Sequence, residues 1–313
     1  MLQKKQKPKA LITGASGFVG IHLTKELKKN GYEVYCTDVM GSDIKMDITN
    51  YKQVLEVLSK IRPDYIFHLA GIAFVPTSWQ DPELVFKVNT LGALNIFNAV
   101  RASGIDPTIQ IAGSSEEYGL VKPKECPITE DNPLRPLSPY GVSKIAMDFL
   151  AYQYHKTYKM KIIRTRAFNH EGYGRGEQYM TSTFSKQVVE IEKGLKKPII
   201  NHGNLTAVRD ITDVRDMVRA YRLAVEKCIP GQVYNIGSGK RHSVKKVLDI
   251  IVSLSKVKVT CGIDPKRMRP SDVKILHCDS TKFREQTGWS PKYTLEDTLR
   301  SCIKFWREYY SKN

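Results

Sequence analysis

No uninterrupted apolar run in the 313 residues approaches the roughly 18 that a membrane span requires, so no membrane partner is expected. The first seven residues, Met1-Leu2-Gln3-Lys4-Lys5-Gln6-Lys7, lack the apolar stretch of a secretion signal, which predicts a cytoplasmic protein. Cysteine is sparse. Cys36, Cys126, Cys228, Cys261, Cys278 and Cys302 form no CxxC pair and no metal-ligand spacing, so reduced, packed thiols and no metal are expected. Acidic residues are also short: 49 Lys plus Arg against 32 Asp plus Glu leave a net charge of +17. Such an excess permits nucleic-acid binding, but there is no basic stripe interleaved with aromatics, no zinc-finger spacing and no RNP signature. We expect a solvated basic surface with a pocket for an anionic substrate, and no nucleic-acid partner. Internal repeats, low-complexity tracts and linkers are absent as well.

What remains is ordinary globular material. Hydrophobic residues make up 41% and charged residues 26%, enough for a core, and the length fits one large or two interlocked domains. The chain opens on Ala10-Leu11-Ile12, a glycine-rich turn, an amphipathic stretch Ile21–Lys29 and a second run Tyr32–Thr37. Helices are predicted at Tyr51–Ile61, Pro82–Arg101 and Pro139–Lys156, and strands at Tyr65–His68, Thr108–Ala112 and Ile162–Thr165. Short apolar strands alternating with helices predict an α/β fold, a doubly wound parallel sheet. After Phe168 the alternation loosens. A helix is predicted at Asp213–Glu226, a strand at Val233–Ile236, a helix at Val244–Leu254 and a terminal helix in Lys292–Tyr310. The expected division is a dinucleotide-binding Rossmann domain over 1–168, with later strands returning from about 207–238, and a smaller interleaved substrate lobe over 169–313.

Gly14, Gly17 and Gly20 form GxxGxxG after a strand and at the start of a helix. The first glycine suits a tight turn, the second a close approach of backbone to a pyrophosphate, and the third close helix packing. Asp38 ends the second strand, where a carboxylate accepts hydrogen bonds from a ribose and repels a 2′-phosphate, so NAD is favoured over NADP. Asp47-Ile48 would suit the adenine ring; the competing role for Asp47 is an acid at a helix start. Tyr140-Gly141-Val142-Ser143-Lys144 sets a phenol and an ammonium one turn apart. A tyrosine with a pKa near 10 needs a nearby cation to act as a base near neutrality, and Lys144 supplies one. Upstream, Gly113-Ser114-Ser115-Glu116-Glu117-Tyr118-Gly119 closes a strand, placing Ser114 where such sheets present ligands.

These residues resemble the extended short-chain dehydrogenase/reductase (NAD-dependent epimerase/dehydratase) family, over nearly the whole chain. Within it, Arg166-Ala167-Phe168-Asn169-His170-Glu171 with Gly174-Arg175-Gly176-Glu177 is similar to a segment of GDP-mannose 4,6-dehydratase, and Gly203-Asn204-Leu205-Thr206-Ala207-Val208-Arg209-Asp210 to a stretch shared by that enzyme and GDP-4-keto-6-deoxymannose reductase. The dehydratase pattern has Thr at Ser114, an Arg after the second strand and a second Arg at Gly174; the compact link from Asp38 to Asp47 looks more like the reductase. The resemblance implies cofactor contacts from Ser16, Phe18, Val19, Leu69, Ala70, Gly71 and His170 beside the glycines, Tyr140 and Lys144. It implies a GDP-sugar substrate held by Ser78, Ser115, Asn169, Lys186, Asn204, Arg209, Arg269 and Asp272. His68 reads as structural. A homodimer through the helices at 82–101 and 139–156 is implied too, with burial inside one chain as the alternative.

The leading reading is a nucleotide-sugar 4,6-dehydratase, with Ser114, Tyr140 and Lys144 at C4 and Glu116 serving C5 and C6. A 4-reductase or 4-epimerase would use the same Ser–Tyr–Lys set, and the reductase relatives also carry a Glu there. A catalytically idle NAD- or nucleic-acid-binding protein has no need of that set.

Overall fold

Seven strands of the computed structural model, which describes residues 6–268 and 273–312, form one parallel sheet. In chain order they are β1 (Lys9–Thr13), β2 (Glu33–Asp38), β3 (Ile44–Lys45), β4 (Tyr65–His68), β5 (Thr108–Ser114), β6 (Ile162–Ala167) and, after three strands that lie elsewhere, β10 (Val233–Ile236). Their spatial order is β10-β6-β5-β4-β1-β2-β3, so the direction of winding reverses between β1 and β4. Doubly wound sheets bind ligands outside the carboxyl ends of their strands at that reversal.

One face is covered by α1 (Phe18–Lys29) and α8 (Val214–Lys227), with Leu23, Leu27, Met217 and Tyr221 buried against Ile12, Phe67 and Ile163. The other is covered by α2 (Tyr51–Ile61), α5 (Gly92–Ala102) and α6 (Pro139–Tyr158), with Val54, Leu58, Ile96, Phe97 and Met147 buried against Leu11, Ile66 and Ile111. Strand residues therefore face apolar helices on both sides, which is why these strands read as unbroken apolar runs rather than alternating ones. The predicted helix at 82–101 is a composite: α4 (Pro82–Phe86), a π turn at Lys87–Leu91 and α5. The short α3 (Val75–Gln80) precedes it.

The remaining strands build two smaller sheets: β7 (Asn169–Glu171), β9 (Val208–Asp213), β11 (Arg241–Ser243) and β13 (Ile275–Leu276) in one, β8 (Ile199–His202) and β12 (Thr260–Ile263) in the other. Of the stretch at 207–238 expected to return to the main sheet, β10 does so, while β9 lies at the centre of the smaller sheet. Helices α7 (Met180–Glu192), α9 (Val244–Ser253) and α11 (Leu295–Lys312) pack together through Val188, Leu248, Leu299 and Trp306. Helix α10 (Thr281–Thr287) closes the edge beside β10. Among the described residues no helix is long and apolar enough to cross a membrane, and all six cysteines are free thiols.

Candidate active site

A cavity of about 910 Å³ opens at the carboxyl ends of β1, β4, β5 and β6, between the main sheet and the residues of β7, β9 and α7. Gly14, Gly17, Phe18, Val19, Gly20, Leu69 and Gly71 form one wall. A Cβ at Gly14, where φ is +72°, would lie 2.8 Å from the Ala70 backbone, and one at Gly20 would lie 2.4 Å from the Gly14 carbonyl oxygen. Only glycine lets β4 and α1 close on the loop this tightly. Helix α1 starts at Gly17 without a side-chain cap, so its first amides are left to an outside acceptor. A diphosphate fits that end, and the Ser16 hydroxyl, buried and without a partner, adds a further donor. The Asp38 carboxylate is fixed beside the loop: one oxygen accepts the Ser16 N–H at 3.0 Å and the other the Val39 N–H at 2.8 Å. These residues fit a dinucleotide.

The same cavity carries the reactive groups. Ser114 ends β5, and its hydroxyl is hydrogen-bonded to the Tyr140 phenol and accepts the Glu116 N–H at 3.2 Å. Tyr140 and Lys144 project from the first turns of α6, whose Ser138 side chain caps the helix at Gly141 N–H and so sets where the phenol emerges. Ser115 and Glu116 line the same space. Burial holds the phenol above its ordinary pKa, with the Ser114 hydrogen bond opposing. The expected help from Lys144 takes a different form: its ammonium lies 5.9 Å from the Tyr140 ring centroid and donates to the Ala112 carbonyl at 2.9 Å. Burial lowers Lys144 to about 8, while Glu117 pulls it upward. His68 is buried behind it, hydrogen-bonded through Nδ1 to Thr13 Oγ1 at 2.9 Å and lowered by desolvation to about 3. It is a neutral structural group.

Asn169, His170, Asn204 and Arg209 complete the cavity from the other side. The Asn169 carbonyl oxygen is buried with no partner, as an acceptor awaiting a ligand would be. Arg209 follows strand alternation: its side chain lies on the cavity, while the Asp210 carboxylate on the opposite face is satisfied by Ser238, Gly239 and Cys278. Four of the residues expected at the ligands have partners within the fold. The Asp47 carboxylate accepts from Thr49 N–H and Oγ1 at 2.8 Å each, serving the approach to α2. Ile48 is in the core, so close to α5 that only Gly92 fits beside it. Ser78 is fully buried and donates to the Val75 carbonyl within α3. Lys186 is drawn to Glu177 and Glu190 at the edge of α7. Arg269 and Asp272 lie outside the described residues.

Three groups on the wall had no role assigned from sequence. Arg175 stacks 3.4 Å over the Tyr179 ring and 4.8 Å from Phe18, with Nε buried and paired with the Glu171 carboxylate at 3.5 Å. It lay in a segment already singled out, so a signal existed. Tyr179, and Lys266 with Arg267, carried none, because folding alone brings their loops to the cavity.

A family model described as GDP-mannose 4,6 dehydratase matches residues 11–302. The chain belongs to that family. Among its relatives, GDP-6-deoxy-D-mannose reductase of Pseudomonas aeruginosa is 29% identical over 295 residues, covering 94% of this chain and 96% of that protein. GDP-mannose 4,6-dehydratase of Vibrio cholerae is 27% identical over 350 residues, covering 95% and 93%. The solved structure of RMD from Pseudomonas aeruginosa complexed with NADPH superposes with a TM-score of 0.89 at 27% identity, covering 97% of this chain and 100% of that one. Thermus thermophilus UDP-glucose 4-epimerase in complex with NAD gives 0.85 at 27%, covering 96% and 99%. The chain is thus an NAD(P)-dependent enzyme of the extended short-chain dehydrogenase/reductase type.

Proposed function

We propose that the protein is a nucleotide-sugar 4,6-dehydratase that uses NAD and acts on GDP-mannose or a related GDP-sugar. The observation that carries the choice is Asp38. An anion fixed at the ribose end of the loop disfavours the 2′-phosphate of NADP, and NAD suits a redox cycle that closes within one turnover. The dinucleotide would lie along the glycine wall, where it supplies a hydride acceptor for C4 and a hydride donor for C6.

The chain's own residues move the protons. Tyr140 takes the proton of the C4 hydroxyl while Ser114 donates to the same oxygen. The new ketone acidifies C5, and Glu116 takes that proton and passes it to the departing C6 hydroxyl, which leaves as water. C5 is reprotonated from solvent, into which the proton removed by Tyr140 has exchanged, so the net change is loss of one water. Glu116 stands two residues beyond Ser114 on the same wall, which lets both serve one sugar. Arg209, Lys266 and Arg267 supply cations on the far side for the diphosphate. Asn169 offers its unpartnered oxygen to the substrate.

The exposed apolar side chains of the helices at 82–102 and 139–158, namely Leu84, Leu91, Val142, Phe149 and Tyr152, support a homodimer through that face. Free thiols throughout are in keeping with a cytoplasmic setting. A second reading, a GDP-4-keto-6-deoxy-sugar reductase, is favoured by the full-length match to the Pseudomonas aeruginosa reductase. Incubation with a panel of nucleotide sugars, including 4-keto-6-deoxy forms, with trace NAD in one arm and stoichiometric NAD(P)H in the other separates them. Loss of water without net cofactor consumption supports the dehydratase; gain of two hydrogens with stoichiometric NAD(P)H consumption establishes the reductase.

A further inference from the structure

Beneath the catalytic turn lies a buried chain of charges that the reaction itself does not use. Glu117 is fully buried. One of its carboxylate oxygens accepts the Ser114 N–H at 2.7 Å, and the other accepts Arg166 Nε at 2.9 Å. A Cβ at Gly113 would lie 2.6 Å from the first oxygen, so the strand carries glycine where the carboxylate must pass. Arg166, on β6, also donates to the Tyr118 hydroxyl at 3.1 Å and binds Asp148 at 2.5 Å. Asp148 in turn holds Arg164 at 3.1 Å. Asp148 stands one helical turn beyond Lys144 and two beyond Tyr140 on the same face of α6. Two carboxylates and two guanidiniums therefore join the turn that carries Ser114 and Glu116 to the helix that carries Tyr140 and Lys144.

We propose that Glu117 is a positioning residue: gripping the Ser114 amide on one side and Arg166 on the other, it holds the catalytic turn in register with the catalytic helix. A buried ion chain of this kind is a costly way to gain stability, since desolvation offsets much of the attraction, whereas it tolerates only one geometry. Hydroxyl, phenol and carboxylate must meet one sugar, and misplacement by about 1 Å can cost on the order of a hundredfold in rate. Burial and the Asp148 carboxylate push Glu117 itself up to about 8 against the pull of Arg166, and its negative charge in turn raises the affinity of Lys144 for its proton. The other groups facing that ammonium are His68, neutral by burial, from β4, and Tyr140 on its own helix.

The proposal rests on the assignment of Ser114, Tyr140 and Lys144 to the chemistry. Its test is Glu117→Gln, which keeps an acceptor for the Ser114 amide but turns an N–H toward Arg166, beside Glu117→Leu, which removes both links. With the substrate found in the nucleotide-sugar panel, kcat should fall about tenfold in the Gln variant and about a hundredfold in the Leu variant, with KM and NAD affinity within about twofold. The alkaline limb of kcat/KM should move to lower pH in Glu117→Gln, a shift that a merely structural role does not produce. Urea denaturation establishes that each variant is folded, and the Gln variant decides if the Leu variant is not. A folded Glu117→Gln protein with wild-type kcat and an unmoved alkaline limb overturns the proposal. Full turnover by Ser114→Ala and Tyr140→Phe would instead overturn the assignment of the site beneath it.

Discussion

On the proposed reading, a single carboxylate at Asp38 decides between two cofactors that differ by one phosphate. Both of its oxygens are pinned by backbone amides, so it does not swing away from an incoming 2′-phosphate. Two like charges in that cleft should cost about 1–3 kcal/mol, which is roughly a ten- to hundredfold preference for NAD. Fluorescence titration with both cofactors checks this, and Asp38→Asn should narrow the gap; tighter NADP binding by the wild type would pull the protein toward the NADPH-complexed relative. Lys144 gives a second prediction. In the proposed mechanism its ammonium works charged, beside the phenol, and burial lowers it to about 8. A basic group loses its charge as pH rises through its pKa, and kcat/KM reports the free enzyme, so kcat/KM should fall as pH climbs past about 8. A profile flat from neutrality to about pH 10, the ordinary range for lysine, would contradict that role.

Among the elements, α2, β4 and β10 stand at their predicted bounds because the chain punctuates them: the Asn50 side chain caps α2, and Arg62 ends it in the left-handed region. The glycine loop, Ser114, Tyr140 and Lys144 were legible for the same reason, since each sits at a fixed offset from a strand or helix end. Helix α7 was not legible. It follows a stretch crowded with Gly, Arg and Thr, its N-cap Tyr179 makes no capping bond, and Thr181, Ser182 and Ser185 are buried polar residues on its packed face. Thr181 donates to Glu171 and Ser182 accepts from Trp306, partners in other elements, while Ser185 donates back to the Thr181 carbonyl within the helix. Lys186 was misplaced with it, because a lysine on an unseen helix has no predictable face. The packing of α7 against α11 is testable: Leu299 is fully buried between them, so Leu299→Ala should lower stability by about 2–5 kcal/mol in urea unfolding. A loss below about 1 kcal/mol would contradict the cluster described.

The whole molecule places its cavity between the ends of the main sheet and a smaller lobe with its own apolar cluster. Its outer helical face keeps Phe149 54% and Leu91 51% exposed in the single chain, and the proposed dimer would cover them. Light scattering should give the mass of two chains for the wild type and of one for Phe149→Glu, with the melting point of the variant lowered; a wild-type monomer would contradict the dimer. The central claim concerns chemistry, and heavy water addresses it most directly. With GDP-mannose, or whichever GDP-sugar in the panel is turned over, and trace NAD, the wild type should lose water and place one deuterium at C5. Glu116→Gln should do so about 10²–10⁴-fold more slowly, as loss of a general acid–base group requires. A wild-type enzyme that never labels C5 with any sugar nucleotide, but consumes NAD(P)H one for one, would contradict the dehydratase and establish the reductase.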